Sequence, residues 1–164
     1  DVAVFVNMGK PKFEWNEIPL TKDIDPVDIN FSIRDLTLKK PFLVNIGNPH
    51  IIFFDDEIEK YDVESFGSLI ENDNLFPEKI NVSFAKLKSD NHIVLNVWER
   101  GAGKTNACGT AACATAVAGV EMGLIKNKVT VTLPGGDLEI YYKSNENIIM
   151  TGPTEINFTD KYKL

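Results

Sequence analysis

The chain of 164 residues is short of sulfur, of imidazole and of positive charge. It holds two cysteines and two histidines, and its 17 Lys and Arg face 24 Asp and Glu, leaving a net charge of −7. Cys108 and Cys113 are too few and too close in sequence to staple a secreted domain, so reduced thiols in a cytosol are expected. The basic residues are scattered, which argues against nucleic acid or an anionic membrane as a partner. No apolar run approaches the roughly 18 residues that a membrane-crossing helix needs. No signal-peptide pattern is visible, and a cytoplasmic location is the expectation.

What is present suits one domain over residues 1–164, with 43% hydrophobic and 25% charged residues and length enough for a real core. The chain opens at Asp1 inside an alternating apolar run without an initiator Met, so a missing N-terminal part of a longer protein is expected. Val2 to Met8 reads as a strand closed by Gly9 and Pro11. Phe13 to Leu20 reads as a short extended piece, and Asp23 to Lys40 as short strands and turns. Pro41 to Ile46 and His50 to Phe54 are β-rich runs joined by Gly47-Asn48-Pro49, where the proline biases Asn48 to an extended conformation. Val63 to Ile70 is a helix capped by Asp62 and ended near Asn72 to Asn74. Ile80 to Ala85 and His92 to Trp98 follow as strands, the second hydrophobic on both faces and therefore central.

Ala111 to Gly123 is a helix with almost no polar face, which marks it as buried all round. Val129 to Leu133, Leu138 to Lys143, Ile148 to Thr151 and Glu155 to Phe158 read as an antiparallel meander. The fold class is α+β, with antiparallel strands curled around one buried helix.

The chemistry concentrates in Glu99 to Thr110, E-R-G-A-G-K-T-N-A-C-G-T, between the central strand and the buried helix. Gly103-Lys104-Thr105 invites comparison with a phosphate-binding loop, and a nucleotide-binding or non-catalytic module is the alternative it raises. That loop needs a glycine at position 98, where Trp98 stands, and a helix directly after the Lys-Thr pair. Cys108 instead precedes the helix at Gly109 and Thr110. There unpaired N–H groups and the positive dipole end favour thiolate and are expected to lower the thiol pKa toward neutrality. The same N–H groups suit a carboxylate. A thiol beside a carboxylate site suggests acid–base work on a carbon next to a carboxylate, and a Cys-nucleophile hydrolase using Cys108 and His50 is the other chemistry that fits.

Cys113, inside the Ala-rich helix, reads as a structural thiol. No metal is expected, because His50 and His92 lack partners at ligand spacing. His92 reads as a solvated turn residue. On residue type alone His50 has no assigned role, and Glu99-Arg100 fits a solvated strand-end pair equally well.

Gly47-Asn48-Pro49-His50, Leu75-Phe76-Pro77, Asn81-Val82-Ser83-Phe84 and the whole run from Glu99 to Thr110 together resemble the diaminopimelate epimerase family. Asn7-Met8-Gly9-Lys10-Pro11 and Ile18-Pro19-Leu20 fit the same pattern, so the resemblance covers essentially the whole chain. It implies a cofactor-independent epimerase that interconverts LL- and meso-diaminopimelate with two cysteines on opposite sides of the α-carbon. By that resemblance Cys108 is one catalytic cysteine, assisted by Glu99 and His50. Asn48, Asn81, Glu99, Arg100, Gly109 and Thr110 form the substrate-binding set. The family's other cysteine, in a Gly-Asn-Gly-Xaa-Arg-Cys context, is absent here. The resemblance therefore implies a C-terminal half, inactive alone, whose partner is the missing N-terminal domain. Residues from about 1 to 8 and 154 to 164 would be strands that pair with that domain, and a homodimer through exposed strand edges is a further expectation.

Overall fold

The computed structural model of the chain describes residues 2–25, 29–33, 36–38 and 40–154. Its elements in chain order are β1 (Val2–Gly9), β2 (Ser32–Ile33), β3 (Leu36–Thr37), β4 (Phe42–Asn45), β5 (Pro49–Phe54), a 3-10 turn (Ile58–Lys60) and α1 (Val63–Glu71). Then come β6 (Asn81–Ser89), β7 (His92–Glu99), β8 (Gly103–Thr105), α2 (Gly109–Glu121), β9 (Lys128–Leu133), β10 (Gly136–Tyr141) and β11 (Ile148–Thr154). The strand expected at Glu155 to Phe158, with the rest of the tail, lies outside the described residues.

One sheet runs in the order β1-β11-β10-β9-β7-β6-β5-β4, with β8 paired to β7 as a side branch. The expectation of antiparallel strands holds except at two places, β5 with β6 and β7 with β9, which pair in parallel. Parallel neighbours need a crossover connection; α1 lies in the first and α2 in the second. Helix α2 packs against β4, β5 and β6 from one side of the sheet order and β9, β10 and β11 from the other. A single helix reaches all six strands only if the sheet curls around it.

The sequence of α2 makes this possible. Ala111 to Gly119 are all buried, and their small side chains let strands approach the helix axis on every side. Ile52, Ala85, Ile93, Leu95, Val97, Val129, Val131 and Ile140 close around it in one core. A buried aliphatic side chain of this kind contributes about 1.5–3 kcal/mol. The opposite face of the sheet carries a second core, in which Ile51, Phe53, Val82 and Phe84 meet Ile18, Phe31, Tyr61 and Ile70. Along β7 the two cores alternate, with Ile93, Leu95 and Val97 toward α2 and Val94 and Trp98 toward α1. It is the central strand that the apolar composition of both its faces requires.

Phe13 to Leu20 departs from the extended reading. Ile18 N–H bonds to Glu14 C=O and Leu20 N–H to Trp15 C=O, which makes a compact set of turns. Trp15-Asn16-Glu17 breaks the alternation a strand needs, and Pro19 has no ladder donor. The turns still bury Ile18 and Leu20 against the second core. Asp62 occupies the N-cap position of α1 with extended backbone, and its carboxylate takes the Ser65 hydroxyl instead of a helix N–H.

Candidate active site

The N-terminus of α2 meets the ends of three strands. Pro49 and His50 open β5, Asn81 opens β6, Glu99 closes β7, and Cys108 is the N-cap of α2 with extended backbone. The parallel register sets His50 beside Asn81. All the residues singled out in Glu99 to Thr110, with Asn48, His50 and Asn81, therefore gather at one end of the curled sheet.

A directed chain of hydrogen bonds runs through them. His50 is fully buried, and its Nε2–H donates to Asn48 Oδ1 at 2.8 Å. An amide oxygen only accepts, so the ring is the Nε2–H tautomer. Asn48 Nδ2 donates to Thr110 Oγ1 at 3.3 Å, and Thr110 Oγ1 lies 3.5 Å from Cys108 Sγ. With its oxygen accepting from Asn48, the Thr110 hydroxyl has its proton free for the sulfur. Burial, and secondarily the Arg100 guanidinium, pull the His50 pKa down to about 3. The ring is neutral, and its buried Nδ1 has no partner.

Cys108 is 7% exposed. Its thiol departs from the lowered pKa that a helix N-terminus alone suggests, because burial pushes it up and the neighbouring Glu99 carboxylate adds to the rise. The Thr110 hydroxyl and the Ala111 N–H pull the other way without prevailing. Desolvating the charged form outweighs the helix dipole here. The resting group is a thiol. Cys113, one turn into the helix, is fully buried, and burial raises its thiol to about 12.

The turn between β7 and β8 presents the charged pair. Glu99 Oε1 accepts from Thr105 Oγ1 at 2.6 Å, across the hairpin. Ala102 N–H closes the turn on Glu99 C=O at 3.1 Å. Gly101 and Gly103 have φ of 75° and 91°, conformations that glycine adopts without the cost of a Cβ. Asn81 ties the turn to two strands, as its Nδ2 donates to Pro49 C=O at 2.9 Å and its Oδ1 accepts the Arg100 N–H at 2.9 Å. The Arg100 guanidinium is exposed and donates to Glu78 C=O at 3.0 Å. Glu71 and Trp98 were not singled out by sequence, yet Glu71 accepts from both Trp98 Nε1 and Gly101 N–H. Helix α1 thereby reaches the turn.

The loop carrying Cys108 is held from below. Gly135 N–H bonds to Asn106 C=O at 2.7 Å, and a Cβ on Gly135 would stand 2.8 Å from that oxygen. Gly103-Lys104-Thr105 is strand β8, paired with Glu99, Trp98 and Val97. Among the described residues no three His, Cys, Asp or Glu gather where they could hold a metal ion, and no helix is long and apolar enough to cross a membrane. His92 is half-buried instead of solvated, with Nε2 2.9 Å from the Thr132 hydroxyl. It stands at the far end of β7 from the site. An open depression of about 550 Å³ lined by Thr21, Ile24, Phe31 and Leu75 includes none of the site residues.

The fold is shared with solved proteins described as epimerases. A hydroxyproline epimerase from Agrobacterium vitis superposes with a TM-score of 0.59 at 12% identity, over 92% of this chain and 50% of that one. A protein described as a predicted epimerase from Pseudomonas aeruginosa gives 0.54 at 13% identity, over 96% and 59%. Residues 42–157 match the family model of diaminopimelate epimerase, and the chain belongs to that family. Relatives named diaminopimelate epimerase include those of Erythrobacter litoralis, 47% identical over 93% of this chain, and Methylocella silvestris, 46% identical over 96%. The chain spans about half the length of the curated relatives it matches, 56% of each of these two.

Proposed function

We propose that this chain is the cysteine-bearing C-terminal half of a cofactor-independent diaminopimelate epimerase, and that Cys108 exchanges a proton with the substrate α-carbon. The observation that carries the reading is Cys108 at the mouth of a buried helix, flanked by Glu99 and by the Thr110–Asn48–His50 chain.

In one direction a thiolate on the far face of the substrate removes the α-proton, and its pair of electrons is left on the α-carbon. The Cys108 S–H then delivers a proton to the opposite face, so the substrate leaves inverted and Cys108 is left as thiolate. The reverse direction exchanges the two roles. A resting Cys108 thiol is the acid this scheme calls for. The Thr110 hydroxyl and Ala111 N–H steady the thiolate it becomes, and Glu99 is placed to favour the return of its proton. Cys113 does not serve as the second base, because it is sealed inside α2 with its proton held tightly. The far-face thiol belongs to an N-terminal domain.

The substrate α-carboxylate fits the first N–H groups of α2, from Gly109 and Thr110, where no side chain caps the helix and the dipole favours an anion. The exposed Arg100 guanidinium offers a bidentate carboxylate contact, beside Asn48 and Asn81. Helix dipole and burial together would stabilise the carbanion. Strand β1 supports an absent partner domain. Val4, Phe5 and Val6 are 41%, 71% and 38% exposed, so apolar side chains project from both faces of a terminal strand. An N-terminal half covering them would complete the site, and the cytosol is the compartment where both thiols stay reduced.

The test follows α-proton exchange and epimerisation of diaminopimelate in deuterated water. The chain alone should not epimerise, and the chain joined to an N-terminal half should. Cys108→Ala should abolish turnover in the joined form. Epimerisation at an enzyme-like rate by the chain alone, or full activity of Cys108→Ala, would overturn the reading.

A further inference from the structure

Glu71 is the last residue of α1 and is 5% exposed. A carboxylate there opposes the helix dipole, and burying it is costly unless its oxygens are satisfied. Among the described residues no cation pairs with it. Its partners are two N–H groups, Trp98 Nε1 on Oε2 at 2.7 Å and Gly101 N on Oε1 at 2.9 Å. Both partners belong to the end of β7 and the turn that follows.

One helical turn earlier, Gly67 brings α1 against the same tryptophan. A Cβ on Gly67 would stand 2.4 Å from Trp98 Cβ, so the close approach needs the missing side chain. Gly67 and Glu71 thus grip Trp98 from one helix face, and Glu71 reaches past it to the turn. Next in the turn, Arg100 N–H goes to Asn81 Oδ1. Successive amides at 100 and 101 are therefore fixed by two different side chains, one from β6 and one from α1.

We propose that Glu71 is a positioning residue for the substrate-binding turn: its two-oxygen contact to Trp98 and Gly101 sets the direction in which Arg100 and Glu99 leave the backbone. The role rests on the reading of Arg100 and Glu99 as substrate contacts. The chemistry requires a carboxylate. Both incoming groups are donors, and a glutamine in the same place would turn one N–H toward another N–H. A buried donor left facing a donor loses its hydrogen bond and pushes the turn away.

The experiment uses Glu71→Gln with two independent readouts. In the wild-type chain, the Trp98 indole N–H and the Gly101 amide should both be protected from hydrogen exchange followed by NMR, as the two donors to one carboxylate. In Glu71→Gln that shared protection should be lost, and Gly101 amide exchange should quicken by about tenfold, the scale of one charge-assisted hydrogen bond. In the chain joined to an N-terminal half, KM for diaminopimelate should rise by about tenfold with kcat changed far less, as expected for a displaced binding group. An unchanged KM, or faster unfolding with Gly101 exchange as in wild type, would overturn the proposal. If the unaltered joined protein shows no diaminopimelate turnover, the epimerase reading fails, while the Trp98 and Gly101 exchange rates still decide whether Glu71 sets the turn.

Discussion

The Thr110 hydroxyl lies 3.5 Å from the Cys108 sulfur while its own oxygen accepts the Asn48 amide. Its proton is therefore free to turn to the sulfur, and the contact favours the thiolate. Glu99 acts in the opposite sense and favours the thiol. Thr110→Val should move the pH profile of Cys108 alkylation by iodoacetamide upward, and Glu99→Gln should move it downward. Cys113 should stay unlabelled in the folded chain throughout. Identical profiles for the three proteins would remove both residues from control of the thiol.

The buried imidazole of His50 sets an acid limit. Its folded pKa of about 3 lies below its ordinary value of 6.5, so the unfolded chain takes up this proton first as pH falls. Its contribution is fully present above pH 6.5 and is lost as pH drops from there toward 3. The slope is up to about 1.4 kcal/mol per pH unit. Urea unfolding across that window should show the loss in the wild type, and His50→Gln should flatten it. An equal slope in both proteins would mean that other groups govern the acid limb.

Arg100→Ala should weaken diaminopimelate binding in the joined protein by about 1.5–3 kcal/mol, the range for a hydrogen bond to a charged group. The folded chain itself should lose little, because Arg100 is exposed and, among the described residues, its guanidinium bonds to one carbonyl. Calorimetry and thermal unfolding on the same preparation separate the two effects. A large loss of stability with unaltered binding would count against a substrate role.

Gly67→Ala places a methyl group inside van der Waals range of Trp98, 2.4 Å from its Cβ. Overpacking of this kind costs about 1–3 kcal/mol. Denaturant titration should show that loss, and Trp98 fluorescence should report the displaced ring. Wild-type stability would show that α1 slides to accommodate the methyl.

Phe5→Asp should leave the stability of the chain nearly unchanged, since Phe5 is 71% exposed, yet weaken docking of an N-terminal half. A sizing column run at high concentration checks the companion expectation, that free chains self-associate through this strand until the half is supplied. A clean monomer would rule out that dimer.

Much of this molecule was legible in sequence because its strongest signals are local. The run Ala111 to Gly119 has no polar face, and it is the buried axis of the fold. The alternation in β1, the two apolar faces of β7 and the breaker at Gly9 mark their elements equally well. Phe13 to Leu20 misled because its buried Ile18 and Leu20 flank a proline turn instead of lining one face of a strand. The Cys108 thiol misled for a different reason. The helix N-terminus is visible in the order of residues, whereas the burial and the Glu99 neighbour that outweigh it arise only on folding. Glu71 gives no signal at all, since its two partners lie 27 and 30 residues further along the chain.

The contact between Asn106 and Gly135 has a consequence for biogenesis. The loop that presents the thiol is latched by the β9–β10 turn, which leaves the ribosome after it. Until that hairpin folds back, Cys108 lacks both its final backbone path and its burial. A nascent or partly opened chain should therefore expose to oxidants a thiol that the finished domain leaves only 7% exposed.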